Sequence, residues 1–186
     1  MQIRTMLSAF AGAAAVALGG CATTGDRGAR ADSPIVGPIR EGRCHMNGCS
    51  WFQVQSFDMV RETADAALLR VVSRDGSSMH PDGNYPRRPR ETDIQWAPES
   101  STSYFFCSTR YPAIIYDNEG VLEGYRLNMI MSAGATEFVH AQYRAICHPD
   151  GGLEAPGAAA RLGYTSFDGE AEFRLSRPED IFDRAN

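Results

Sequence analysis

Five cysteines divide this chain of 186 residues into one and four, and the four set the strongest limit on its fold. Cys44, Cys49, Cys107 and Cys147 all lie downstream of a stretch with the layout of a secretion signal. An even thiol count in an exported domain reads as a disulfide framework, because thiols oxidise outside the cytosol. Four cysteines allow three pairings. The expected one is Cys44–Cys49 with Cys107–Cys147. The first bridge closes the short loop His45-Met46-Asn47-Gly48, in which Asn-Gly is a turn signal. The second closes a loop of about 40 residues, worth roughly 4 kcal/mol in the chain-entropy model. Zinc is the rival reading, since Cys44-His45 and Cys147-His148 are matching ligand pairs. Cys-x4-Cys is nevertheless not the usual Cys-x2-Cys knuckle.

The export reading rests on residues 1–20. Arg4 gives one positive charge, and Met6 to Leu18 is apolar or small throughout. Thirteen residues suit the core of a signal peptide and are too short to span a bilayer. The run then closes as Leu18-Gly19-Gly20-Cys21. That closing pattern resembles a bacterial lipobox. The resemblance implies a diacylglyceryl thioether on Cys21, cleavage just before it and acylation of the new amine. Each buried methylene contributes roughly 0.8 kcal/mol, so two or three chains on Cys21 make a permanent membrane anchor. Ala22 follows, where an Asp would favour inner-membrane retention. The implied location is the cell outer membrane, lipid-anchored, with the domain in the periplasm.

Removing the signal leaves 166 residues, enough for one domain with a real core. The mature chain carries 17 Arg against 23 acidic residues, a net charge of −6. That acidity argues against nucleic acid as a partner. Lys is absent, which excludes Schiff-base chemistry, a phosphate-loop lysine and Ser-Lys dyads.

The expected organisation is a cleaved signal over 1–20, a flexible tether over 21–42 and one domain over 43–186. The fold class is mainly β, with α+β possible: a disulfide-stapled antiparallel sheet with one or two short helices. Strands are expected over 50–56, 102–108, 113–116, 125–131 and 137–147. Over 58–72, Val60, Ala64, Ala67, Leu68 and Val71 fit a helical stripe, yet 67–74 reads better as a strand entering an Asp75-Gly76 turn. Residues 75–92 form a long loop, whose Pro81, Pro86 and Pro89 forbid a central strand. A short helix over 155–162 stops at Gly163. Strands over 164–167 and 170–175 flank an Asp168-Gly169 hairpin signal, and Pro178 opens a last helical turn.

Candidate chemistry is sparse. His-Pro-Asp-Gly occurs twice, at 80–83 and 148–151. Turn chemistry explains it: Pro fixes φ, Asp bonds nearby backbone and Gly accepts positive φ. The alternative is a metal-dependent enzyme, with His80, Asp82, His148 and Asp150 as its metal site if the two loops meet. His45 and His140 have no ligand partner by local spacing. Ser132 lacks a nucleophile elbow, because Ile130 stands where Gly is needed. The oxidised cysteines offer no thiolate. These observations imply no cofactor and point away from an enzyme. They favour a binding or structural protein of the envelope, membrane-attached through Cys21 and open to a protein partner. Tyr104, Phe105, Phe106, Tyr111, Tyr116, Tyr125, Phe138 and Tyr143 form an aromatic-rich region, mostly core.

Within 106–138, three pieces are similar to the membrane-bound inhibitors of c-type lysozyme. They are Phe106-Cys107, Ile114-Ile115-Tyr116-Asp117-Asn118 and Ser132-Ala133-Gly134-Ala135. That family consists of envelope lipoproteins with a small β-barrel, which plug the lysozyme cleft with a Ser-containing loop. The family's Ser-Gly-x-x-Tyr order is replaced here by Thr136-Glu137-Phe138. The resemblance implies a lysozyme inhibitor as the alternative function.

Overall fold

A computed structural model describes residues 34–131, 134–167 and 171–186. The signal, Cys21, Ser132-Ala133 and the Asp168-Gly169 turn lie outside the described residues. The chain forms one antiparallel sheet of eight strands. They are β1 (Ile39–His45), β2 (Gly48–Glu62), β3 (Ala66–Met79), β4 (Gln95–Trp96), β5 (Ser101–Ser108), β6 (Ala113–Asn118), β7 (Val121–Arg126) and β8 (Glu172–Leu175). The order across the sheet is β1-β2-β3-β5-β6-β7-β8, with the two-residue β4 pairing on β3. Helices α1 (Glu137–Cys147), α2 (Ala158–Arg161) and α3 (Ile181–Ala185) complete the fold.

Alternation along the strands buries both faces of the sheet. Phe105 packs on one side with Phe52, Val71, Ile114 and Tyr143 of α1. Its neighbour Phe106 points to the opposite side, where it joins Leu68, Ile115 and Phe182 of α3. The Phe106 and Phe182 rings meet edge to face, 4.9 Å between centroids. A five-residue helix such as α3 has little stability of its own. Burying Ile181 and Phe182, each worth about 1.5–3 kcal/mol, is what holds it in place.

Two glycines allow close approach. Register shifts between Glu41 and Arg43, so Gly42 sits at a bulge, and a Cβ there would overlap the Phe138 ring from α1. Gly124 faces Phe173 across the β7–β8 pair, and that ring occupies the space a side chain would need.

Both expected disulfides are present, Cys44–Cys49 and Cys107–Cys147. The first joins directly paired residues of the β1–β2 hairpin. The hairpin turn centres on Met46 and Asn47, both at positive φ, one residue earlier than the Asn-Gly signal suggests.

The second disulfide joins a strand to a helix, which corrects the strand expected over 137–147. Val139, Ala141, Tyr143, Ala145 and Cys147 alternate like a strand, but His140, Gln142, Tyr143 and Ile146 are the buried residues, and His140, Tyr143 and Ile146 recur at helical spacing. Glu137 in the first turn and Arg144 in the last suit the helix dipole. Glu137 also pairs with Arg43 of β1 at 3.2 Å.

Other boundaries differ from expectation for physical reasons. The ambiguous 58–72 segment is strand on both sides of a turn at 63–65, so the helical stripe was coincidental. β3 continues through Asp75-Gly76, because Ile94 and Trp96 pack where a side chain on residue 76 would stand. The 125–131 strand ends at Arg126. β8 pairs with β7 rather than with 164–167, which is not a strand. The chain is already folded upstream of Arg43, since Ile35 is buried and β1 begins at Ile39.

Candidate functional site

The two His-Pro-Asp-Gly segments build the same turn in different places. The Gly83 N–H donates to the His80 carbonyl at 2.9 Å, and the Gly151 N–H to the His148 carbonyl at 3.0 Å. Both glycines take positive φ, 69° and 77°, as the turn requires.

His80 is anchored beside the β1–β2 hairpin. Its Nε2 lies 2.8 Å from the Ser78 hydroxyl, which accepts the Trp51 indole N–H at 2.8 Å. The His80 ring meets Tyr85 edge to face. Ser78 and Trp51 are only 2% and 1% exposed and His80 is half-buried, so the serine side of this Ser–His pair is enclosed. Its geometry is that of a buried polar clamp, not of an activated nucleophile.

His148 caps the C-terminus of α1 and opens a second chain of hydrogen bonds. Its Nε2 lies 2.6 Å from the Tyr164 hydroxyl, which lies 3.4 Å from the Tyr143 hydroxyl. Tyr143 accepts the Ser108 N–H at 3.1 Å and faces the carbonyls of Phe106 and Ser108 at 3.2 and 3.3 Å. Burial holds the His148 imidazolium below its ordinary range, opposed in part by Asp150. Burial likewise pushes Tyr164 up and Tyr143 well above the usual phenol. The chain is therefore neutral at physiological pH, and it ties α1 to β5 beside the Cys107–Cys147 bridge.

The candidate metal residues are not brought together. Among the described residues, no group of three His, Cys, Asp or Glu is placed to hold an ion. His80 and His148 serve the separate clamps above, and Asp82 and Asp150 are exposed in their turns. The four sulfurs weighed as zinc ligands are oxidised. His140 is buried, with Nδ1 and Nε2 at 2.7 and 3.1 Å from the carbonyls of Thr136 and Asn128.

Two cavities stand out. The larger, about 610 Å³, lies between β1, the end of α1 and the loop over 148–154. Arg40, Glu41, Arg144, His148 and Glu154 surround an apolar floor that includes Phe52. The Arg40 Nε is buried without a hydrogen-bond partner, although its Nη2 donates to the Pro34 carbonyl. Among the described residues, Arg144, Glu41 and Glu154 are in no ion pair. The second cavity, about 500 Å³, is apolar and bounded by Tyr116, Tyr125, Leu127, Val139, His140 and Phe167. Burial, with Asp75 and Tyr125 nearby, pushes the Tyr116 phenol up to about 12.

Comparison with protein-family models, with curated proteins and with solved structures finds no match for this chain. The first two pieces that resemble lysozyme inhibitors fall on β5 and β6; of the third, Gly134-Ala135 lie in a 3-10 turn before α1, and Ser132-Ala133 lie outside the described residues. The charged cavity was not legible in sequence. Arg40 and Glu41 stand about a hundred residues before Arg144 and His148, and no local spacing links them.

Proposed function

We propose that this chain is an exported lipoprotein, held at the outer membrane through Cys21, and that its domain is a non-enzymatic binding module. Its ligand site is the charged cavity beside His148. Two disulfides in the domain support an oxidising compartment.

The observation that carries the binding reading is the set of unpaired charges around that cavity. Two guanidiniums and two carboxylates face one concave space of about 610 Å³, within the usual size of a small-ligand site. The charges sum to zero with His148 neutral. A ligand carrying both a carboxylate and an ammonium group complements them best. Arg144 offers a two-pronged contact to a carboxylate. The last carbonyls of α1 and the two Glu side chains favour an ammonium group.

Nuclear magnetic resonance titration of the protein with glycylglycine tests this. The dipeptide is expected to shift resonances of Arg144, His148 and Leu153, and a doubly blocked analogue is not. Arg144→Ala is expected to weaken the response at least tenfold. No shift at the cavity, or an unchanged response in Arg144→Ala, contradicts the reading.

A further inference from the structure

Two of the most exposed large apolar side chains on this protein are methionines at one end of the sheet. Met46 is 81% exposed and Met79 is 73% exposed. Met46 also occupies the first central position of the β1–β2 turn with φ 50°, a left-handed conformation that favours Gly, Asn or Asp. A two-residue hairpin turn of this kind needs positive φ at both central positions, and it leaves the Met46 thioether exposed at the hairpin end.

The sheet register places a third donor beside them. His45 pairs with Gly48, and Gly48 pairs with Met79, so the three residues form one row across β1, β2 and β3. Paired residues project to the same face. The middle position of the row has no side chain. The Met79 thioether lies over that gap, its sulfur 3.7 Å from where a Gly48 Cβ would stand. His45 and Met79 are two strand spacings apart, roughly 9.5 Å between backbones. His45, Met46 and Met79 line one open concavity of about 410 Å³. Arg43 lines the same space, but its charge is met by Glu137 at 3.2 Å.

We propose that His45, Met46 and Met79 form a binding site for a soft monovalent cation of the Cu(I) class. Thioethers are poor ligands for hard ions and prefer soft ones, and imidazole completes such a set. The donors need no deprotonated thiol, so the site is compatible with the oxidised Cys44–Cys49 bridge beside it. Its donors do not include the neighbouring His80 imidazole, which is engaged with Ser78. It does not depend on the charged cavity.

Ag(I) is the probe, because it is a redox-inert member of the same class and needs no reductant that would open the disulfides. The full chain is used in a Cys21→Ser background, so that no free thiol competes. Calorimetry is expected to give one Ag(I) per chain. Methyl resonances of Met46 and Met79 and the ring of His45 are expected to shift, while those of exposed Met59 and Met131 do not. The Met46→Leu and Met79→Leu pair, which keeps side-chain bulk and the thermal midpoint, should weaken binding at least tenfold. Met59→Leu should leave it unchanged. An excess of Zn(II) should not displace the silver. Failure of the chain to bind Ag(I), undiminished binding in the double variant, or shifts spread equally over all exposed methionines overturns the proposal.

Discussion

Removing the two disulfides one at a time should cost the protein unequally. The Cys107–Cys147 bridge spans 40 residues and the Cys44–Cys49 bridge spans 5. In the chain-entropy model, closing the longer loop removes about 4 kcal/mol of unfolded-state freedom, and the shorter one about 2 kcal/mol. Cys107 and Cys147 also pack against the core beneath α1, so deleting their sulfurs adds a cavity cost to the entropic one. Cys49 is itself buried, so the hairpin bridge carries a cavity cost too, and the difference between the variants rests on loop length. The Cys107→Ala/Cys147→Ala variant should therefore lose at least about 4 kcal/mol, a fall in Tm of roughly 10 °C or more. The Cys44→Ala/Cys49→Ala variant should lose about half as much. Urea unfolding followed by circular dichroism measures both. The longer-loop variant should also show the larger rise in m, because its unfolded chain expands more. Equal losses, or a greater loss from the hairpin variant, would refute the reasoning.

Tyr143→Phe should cost about 1–3 kcal/mol in the same assay, because the buried Ser108 N–H loses its acceptor; a neutral result would contradict the role given to that hydroxyl. Asp75→Asn tests a partly buried carboxyl. Burial raises the Asp75 pKa, so the folded state holds its proton more tightly than the unfolded state does. That contribution is present at low pH and lost as pH rises through the folded pKa. The Asn variant should therefore melt higher than wild type at pH 7, with the advantage vanishing below the ordinary carboxyl pKa. Thermal melts across that range check both ends.

The parts of the fold legible in sequence were those with local chemical causes. The aromatic, β-favouring run over 102–108 matched β5 closely. The Asp117 to Gly120 turn formed with its Asp side chain accepting the Gly120 N–H, as short polar turn residues do. Both disulfides followed from thiol parity and loop length. Helix α1 was missed because Val139, Ala141, Tyr143, Ala145 and Cys147 satisfy a period of two as well as a helical one. Tertiary packing decided it, through Phe138 over Gly42 and Tyr143 beneath β5. The end of β3 was missed because Gly76 signals a turn locally, whereas the rings and branches that need its open space come from Ile94 and Trp96. The sites share this character. Each His-Pro-Asp-Gly turn was legible, but the Tyr164, Tyr143 and Ser78 partners of the histidines are set only by long-range register.

The central claim is that Cys21 carries the lipid that fixes this protein in the envelope. Metabolic labelling with palmitate, followed by membrane fractionation of wild type and Cys21→Ser, tests it most directly. Wild type should take up label and fractionate with the outer membrane, and the variant should be unlabelled and released from it. Equal labelling of the two proteins, or an unlabelled wild type, would contradict the account.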